Sequence, residues 1–232
     1  MLGSAGGITS LITFPALLAV GLAPLAANAT NIVALTAFWP AVAHGSRPEL
    51  AGWGRWLWRW TPLALAGGAL GAGLLILTPS DAFKRVVPFL VMAGGLALIA
   101  EPRLRRRSAS TASRLVVLGL WLAVLAAYSG YFGAGSGVMT LALMLIMVDR
   151  RMPTANALKN MLIGAATVPA AVLLAFFAPV HWADAAVLAV GVLVGARLGP
   201  SVARRAPGEA LRWVVFLLAT GLAVELWLNP SF

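Results

Sequence analysis

The chain has 232 residues, 61% of them hydrophobic and only 10% charged, which is too apolar for a soluble domain of ordinary composition. Cysteine is absent, excluding disulfides and thiolate metal sites, and His44 and His181 belong to no cluster with metal spacing, so no metal or other cofactor is expected. The net charge of +10 would suit nucleic acid, but Arg103, Arg105, Arg106, Arg107, Arg114, Arg150, Arg151, Arg204, Arg205 and Arg212 lie between apolar runs, as cytoplasmic loops of membrane proteins do.

The expected partner is therefore a lipid bilayer and not nucleic acid, and the expected fold class is all-α, a polytopic transmembrane helical bundle. Met1 is followed by Leu2-Gly3-Ser4-Ala5-Gly6-Gly7 without a basic n-region, so no signal peptide is expected. The first apolar run, Ile8–Val20, has 13 residues, too few to cross a hydrocarbon core ~30 Å thick. Runs at 25–45, 61–78 and 83–100 each suit one crossing. Trp53, Trp56, Trp58 and Trp60 interleave with Arg55 and Arg59 beside the second of these, as an interfacial aromatic belt would. Leu115–Val148, at 34 residues, is too long for one crossing and is interrupted by Ser129-Gly130-Tyr131-Phe132-Gly133-Ala134-Gly135-Ser136-Gly137. Further crossings are expected at 154–178, 183–200 and 210–228.

Short, glycine-broken segments at matching places in two halves point to a transport site. Here Gly6-Gly7, an apolar run, Pro24 and Asn28-Ala29-Thr30-Asn31 match Ser136-Gly137, an apolar run, Pro153 and Asn156-Ala157-Leu158-Lys159-Asn160. The pattern is a duplication with a period of roughly 125–130 residues, read as two transmembrane repeats, 1–107 and 108–232. Basic residues follow run 25–45 but precede its partner 154–178, and they follow 83–100 but not 210–228. That placement favours inverted repeats, although Lys84 and Arg85 then fall on the outer side. It also requires Leu115–Val148 to enter and return on one side.

Lys159 is a lone cation inside an apolar run, a placement costing roughly 2.5–3.5 kcal/mol on insertion scales. It either marks a substrate path or snorkels to the headgroups from ~7.5 Å inside its segment. Asn156 and Asn160, on the same helical face, favour the first reading. Asn28 and Asn31 share a face in the first half, with Thr30 off it but within reach of a neighbouring groove. If the runs after Gly7 and Gly137 are short helices, their N-termini present unpaired N–H groups and about +0.5 charge, which suits oxyanions. Gly6, Gly7, Gly135 and Gly137, with Ser136, are the candidates for close backbone approach. Gly67, Gly68, Gly71 and Gly73 read instead as helix-packing glycines. Ser10 and Thr140 are supplementary hydroxyl donors. The acidic residues sit in loops or at segment edges, except Glu225 near the end of the last span, and no intramembrane carboxylate pair suggests a proton relay or sodium site.

Ala5-Gly6-Gly7-Ile8-Thr9-Ser10-Leu11-Ile12-Thr13-Phe14-Pro15, Ala27-Asn28-Ala29-Thr30-Asn31, Asn156-Ala157-Leu158-Lys159-Asn160 and Val194-Gly195-Ala196-Arg197-Leu198-Gly199-Pro200 together resemble the sulfite exporter TauE/SafE family, in order and across essentially the whole chain. The resemblance implies a multi-pass protein of the bacterial cytoplasmic (inner) membrane that moves sulfite or organosulfonates. Members usually have an apolar helix before the glycine-rich motif, whereas this chain begins almost inside it, so the first repeat reads as shortened at its N-terminal helix.

The expected function is thus a permease or exporter for a small anionic substrate, not an enzyme. The substrate would be held near the midplane by helix N-termini, by Asn28, Thr30, Asn31, Asn156 and Asn160, and by Lys159. A homo-oligomer is compatible with the sequence. Two other readings stand beside it: a non-transporting membrane subunit or scaffold, and an intramembrane enzyme using Ser136 with His181 as base.

Overall fold

The computed structural model describes residues 9–37, 39–104 and 114–203, with Leu217, Thr220 and Gly221 beyond them. These residues form helices and no strand. In chain order they are α1 (Thr9–Ala19), α2 (Pro24–Thr36), α3 (Trp39–Gly45), α4 (Gly54–Leu77), α5 (Ser80–Leu104), α6 (Arg114–Tyr131), α7 (Ser136–Met147), α8 (Met152–Phe177) and α9 (Trp182–Ala203). Expected crossing 210–228 lies largely outside the described residues, as do Gly6 and Gly7.

Among the described residues, α4 and α8 are the helices both long and apolar enough to cross a membrane. At 26 residues α8 runs for ~39 Å. By contrast α1 has 11 residues and α7 has 12, or ~16 and ~18 Å, so each reaches only part-way through a bilayer. The interrupted segment 115–148 resolves into α6 and α7, packed on each other and joined through Phe132–Gly135.

The expected single crossing at 25–45 is corrected to two helices, α2 and α3. Pro40 supplies the reason. In a continuous helix its missing N–H would leave the Thr36 carbonyl without its partner, and its ring would clash with that carbonyl. Instead α2 ends at Thr36 and Pro40 falls in the first turn of α3, where a proline is tolerated. A second correction concerns the start of the crossing expected at 61–78. The segment carrying Trp56, Trp58 and Trp60 is the first two turns of α4, which starts seven residues earlier than the apolar run. Trp58 is exposed, but Trp60 is buried, with the Arg59 guanidinium 5.5 Å from its ring centroid.

Small residues bring the long helices together. α4 packs against both α6 and α8. A Cβ at Gly68 would run into the Ala166 backbone, one at Gly71 into the Ala127 carbonyl, and one at Gly130 into Gly68, so backbones meet directly along this seam. Gly73 faces open space and takes no part in it. A second packing centre forms around Phe132, which is fully buried between Phe14 (ring centroids 5.1 Å apart, 78° between planes), Phe83 and Tyr128. Anchored by this ring, the turn between α6 and α7 sits inside the protein, next to α1 and α5.

Candidate functional site

A cavity of about 120 Å³ opens between α1, α2, α3, α7 and α8. Its lining includes Thr9 and Ser10 of α1, Asn31 of α2, Trp39 of α3, Ser129 of α6, Gly133 of the turn, Ser136 and Gly137 of α7, and Lys159, Asn160, Gly164 and Thr167 of α8. Five of the residues singled out in the sequence therefore meet at one place: Asn31, Ser136, Gly137, Lys159 and Asn160. Ser10, expected as a supplementary donor, joins them. Thr140 faces a separate small void beside Ser129 and Leu162.

Lys159 is 2% exposed, so its side chain is enclosed by protein and does not snorkel to the surface. Among the described residues lining the cavity, it is the one with a basic side chain. No acidic side chain stands beside it among the described lining residues.

The N-terminus of α7 is built by two glycines. Gly133 and Gly135 hold φ of +79° and +80°, a left-handed conformation that other L-residues adopt at a cost. This turn lets the Ser136 N–H bond to the Gly133 carbonyl at 3.1 Å and the Val138 N–H to the Gly135 carbonyl at 3.1 Å. The Gly137 N–H between them is used by neither bond. Gly135 thus shapes the helix start but does not itself line the cavity. The Ser136 hydroxyl donates to the Gly133 carbonyl at 2.6 Å and lies 3.4 Å from the Ser129 hydroxyl. Ser10 approaches the same carbonyl at 3.4 Å, completing a wall of hydroxyls centred on Gly133.

That geometry disfavours serine nucleophilic chemistry. The Ser136 proton is directed at a backbone carbonyl, and no histidine lines the cavity among the described residues. His181 stands at the start of α9, where its ring is 3.7 Å from Asp184.

Asn31 is held from behind. The Thr13 hydroxyl lies 2.6 Å from Asn31 Oδ1 and 2.9 Å from the Thr9 carbonyl, and its single proton serves one of the two. Three other expected residues do not line the cavity. The Thr30 hydroxyl accepts the His181 backbone N–H at 3.0 Å and so ties α2 to the start of α9. Asn28 is fully buried and donates to the Tyr131 carbonyl at 2.8 Å, which secures the end of α6. Asn156 lies one turn before Lys159 and Asn160, with its Oδ1 buried and without a hydrogen-bond partner.

Sequence reasoning missed Trp39, Gly164, Thr167 and Ser129. Trp39 Nε1 donates to the Asn160 carbonyl at 3.1 Å, and its indole lies against Gly164, where any Cβ would collide with it. The available signal was a proline directly after an aromatic residue, inside a run otherwise read as one helix.

The family model described as sulfite exporter TauE/SafE matches residues 1–226. The chain belongs to this family of membrane transporters. Among curated proteins, this family member is 26% identical over 239 residues to a probable membrane transporter protein, ORF9, of a Sinorhizobium species, covering 98% of this chain and 88% of that protein. It is 28% identical to a probable membrane transporter protein of Haemophilus influenzae, covering 96% of this chain and 87% of that one. Similarity to the probable membrane transporter protein YfcA of Escherichia coli K12 is 24%, over 96% of this chain and 83% of YfcA. No solved structure matches significantly.

Proposed function

We propose that this TauE/SafE transporter carries small sulfur oxyanions, such as sulfite or organosulfonates, and binds them in the cavity between α1, α2, α7 and α8. The observation that carries this reading is the enclosure of Lys159 in the cavity wall, within a helix long enough to span the bilayer. A sulfur oxyanion presents several acceptor oxygens and negative charge. Lys159 supplies positive charge, Asn31 and Asn160 supply amide donors, and the first turn of α7 supplies backbone N–H groups with the positive end of a helix dipole. Gly137 lets the ligand come close to that backbone.

The same reading takes the chain as two inverted repeats, 1–107 and 108–232. Support comes from reciprocal packing: α4 of the first half lies on α8 of the second, and α9 of the second lies on α2 of the first. The two short helices α1 and α7 both begin at the cavity. Such an arrangement puts the site where two moving halves meet, as alternating access requires.

Equilibrium binding of sulfite to the purified protein tests the site. Lys159→Gln is expected to weaken binding at least tenfold, because it removes the cation facing the ligand. Lys84→Gln, near the start of α5 and outside the cavity, is expected to leave it within twofold. Equal effects of the two substitutions would refute a role for Lys159 at the substrate.

A further inference from the structure

The cavity has two unlike walls. One is the hydrogen-bonded group of Ser10, Ser129, Gly133 and Ser136. The other is apolar and is contributed by α2, α3 and α8: Ile32, Leu35, Trp39, Val42 and Ile163. Two of the polar groups on this second side are already committed. The Thr167 hydroxyl donates to the Gly164 carbonyl at 3.2 Å, and the Trp39 N–H donates to the Asn160 carbonyl at 3.1 Å.

Trp39 is fixed along the pyrrole edge of its indole. The N–H tether holds it to one turn of α8, and Gly164, on the next turn, leaves the gap in which the ring rests. No other residue type at 164 leaves that gap open, because even a single Cβ would overlap the indole. A ligand whose oxyanion end meets Lys159 and the α7 N-terminus must place the rest of its body against this wall.

We propose that Trp39, seated on Gly164, sets the permitted length of the substrate's carbon chain, and that the preferred ligand is a sulfonate with one charged end and a short apolar tail. This inference rests on the anion reading of the cavity given above. It excludes a second charge on the tail. A carboxylate there would be stripped of water against Ile32, Leu35, Val42 and Ile163, whose side chains offer no donor in exchange.

Calorimetric titration of the purified full chain with methane-, ethane-, propane- and butanesulfonate tests the proposal, with sulfoacetate as the doubly charged comparison. Each methylene that fits should tighten binding about fourfold. In the unaltered protein the gain should stop and reverse within the series, where the chain meets the indole. Trp39→Ala should move the reversal to longer chains, and Trp39→Phe, which keeps a ring but loses the tether, should fall between. Gly164→Ala displaces the indole without removing it and should also shift the reversal, so the test survives if Trp39→Ala fails to fold. Sulfoacetate should bind at least tenfold more weakly than ethanesulfonate. Superimposable chain-length profiles in the unaltered protein, Trp39→Phe and Gly164→Ala would overturn the role of Trp39, as would sulfoacetate binding as tightly as ethanesulfonate. If the unaltered protein bound neither sulfite nor any sulfonate, the anion reading itself would fall, and this inference with it.

Discussion

A lysine enclosed within a helix long and apolar enough to span a membrane needs a reason, and the cavity beside Lys159 offers one. The residue was legible in the sequence because one cation in a long apolar run stands out, and Asn160 and Asn31 were legible because they repeat around matching prolines. Thr30 was not. A hydroxyl in the right motif cannot announce whether it serves a ligand or a backbone N–H, and here it serves His181. Thr13 was missed for the opposite reason: an isolated threonine in an apolar run carries no signal until its partner is known. Its hydroxyl lies 2.6 Å from Asn31 Oδ1, in a buried pair, and 2.9 Å from the Thr9 carbonyl. Thr13→Val should take this hydroxyl partner from Asn31, at a cost of about 1 kcal/mol inside a membrane protein. The expected result is an unfolding midpoint lowered by roughly 2–4 °C together with weaker sulfite binding. An unchanged midpoint and unchanged affinity would mean that Asn31 does not depend on Thr13.

At the scale of elements, run lengths anticipated the long helices α4, α8 and α9 to within a few residues, except for the start of α4. Hydropathy failed at α2 and α3, because an apolar average ignores the one proline that stops a helix. It also could not separate packing glycines from idle ones. Gly67, Gly68, Gly71 and Gly73 look alike in sequence, yet the first three meet α6 or α8 and Gly73 meets nothing. This yields a paired prediction for thermal unfolding in detergent. Gly68→Ala forces a methyl group into the Ala166 backbone and should cost about 1–3 kcal/mol, the usual range for overpacking. Gly73→Ala adds a methyl group in open space and replaces the poorest ordinary helix former with the best, so it should be neutral or stabilising by up to about 1 kcal/mol. Equal destabilisation by both would contradict the backbone seam between α4 and α8.

For the whole molecule, the site exists because distant parts of the chain converge. Ser10 and Gly133 are 123 positions apart, and Trp39 and Asn160 are 121 apart, yet each pair is in contact at the cavity. The matching motifs in the sequence could not foretell that α1 and α7 would start at the same cavity or that α3 would fold over α8. Those outcomes depend on Phe132 holding the α6–α7 turn inside the protein and on glycines letting α4 approach α6 and α8. We propose that this chain alone moves a sulfur oxyanion through that cavity. That claim is tested most directly by flux of sulfite, ethanesulfonate, sulfate and chloride in proteoliposomes containing only this protein. Saturable movement of sulfite and ethanesulfonate, with sulfate excluded, is the predicted result. Absence of flux for all four anions, in protein that remains folded in the liposomes, would contradict it.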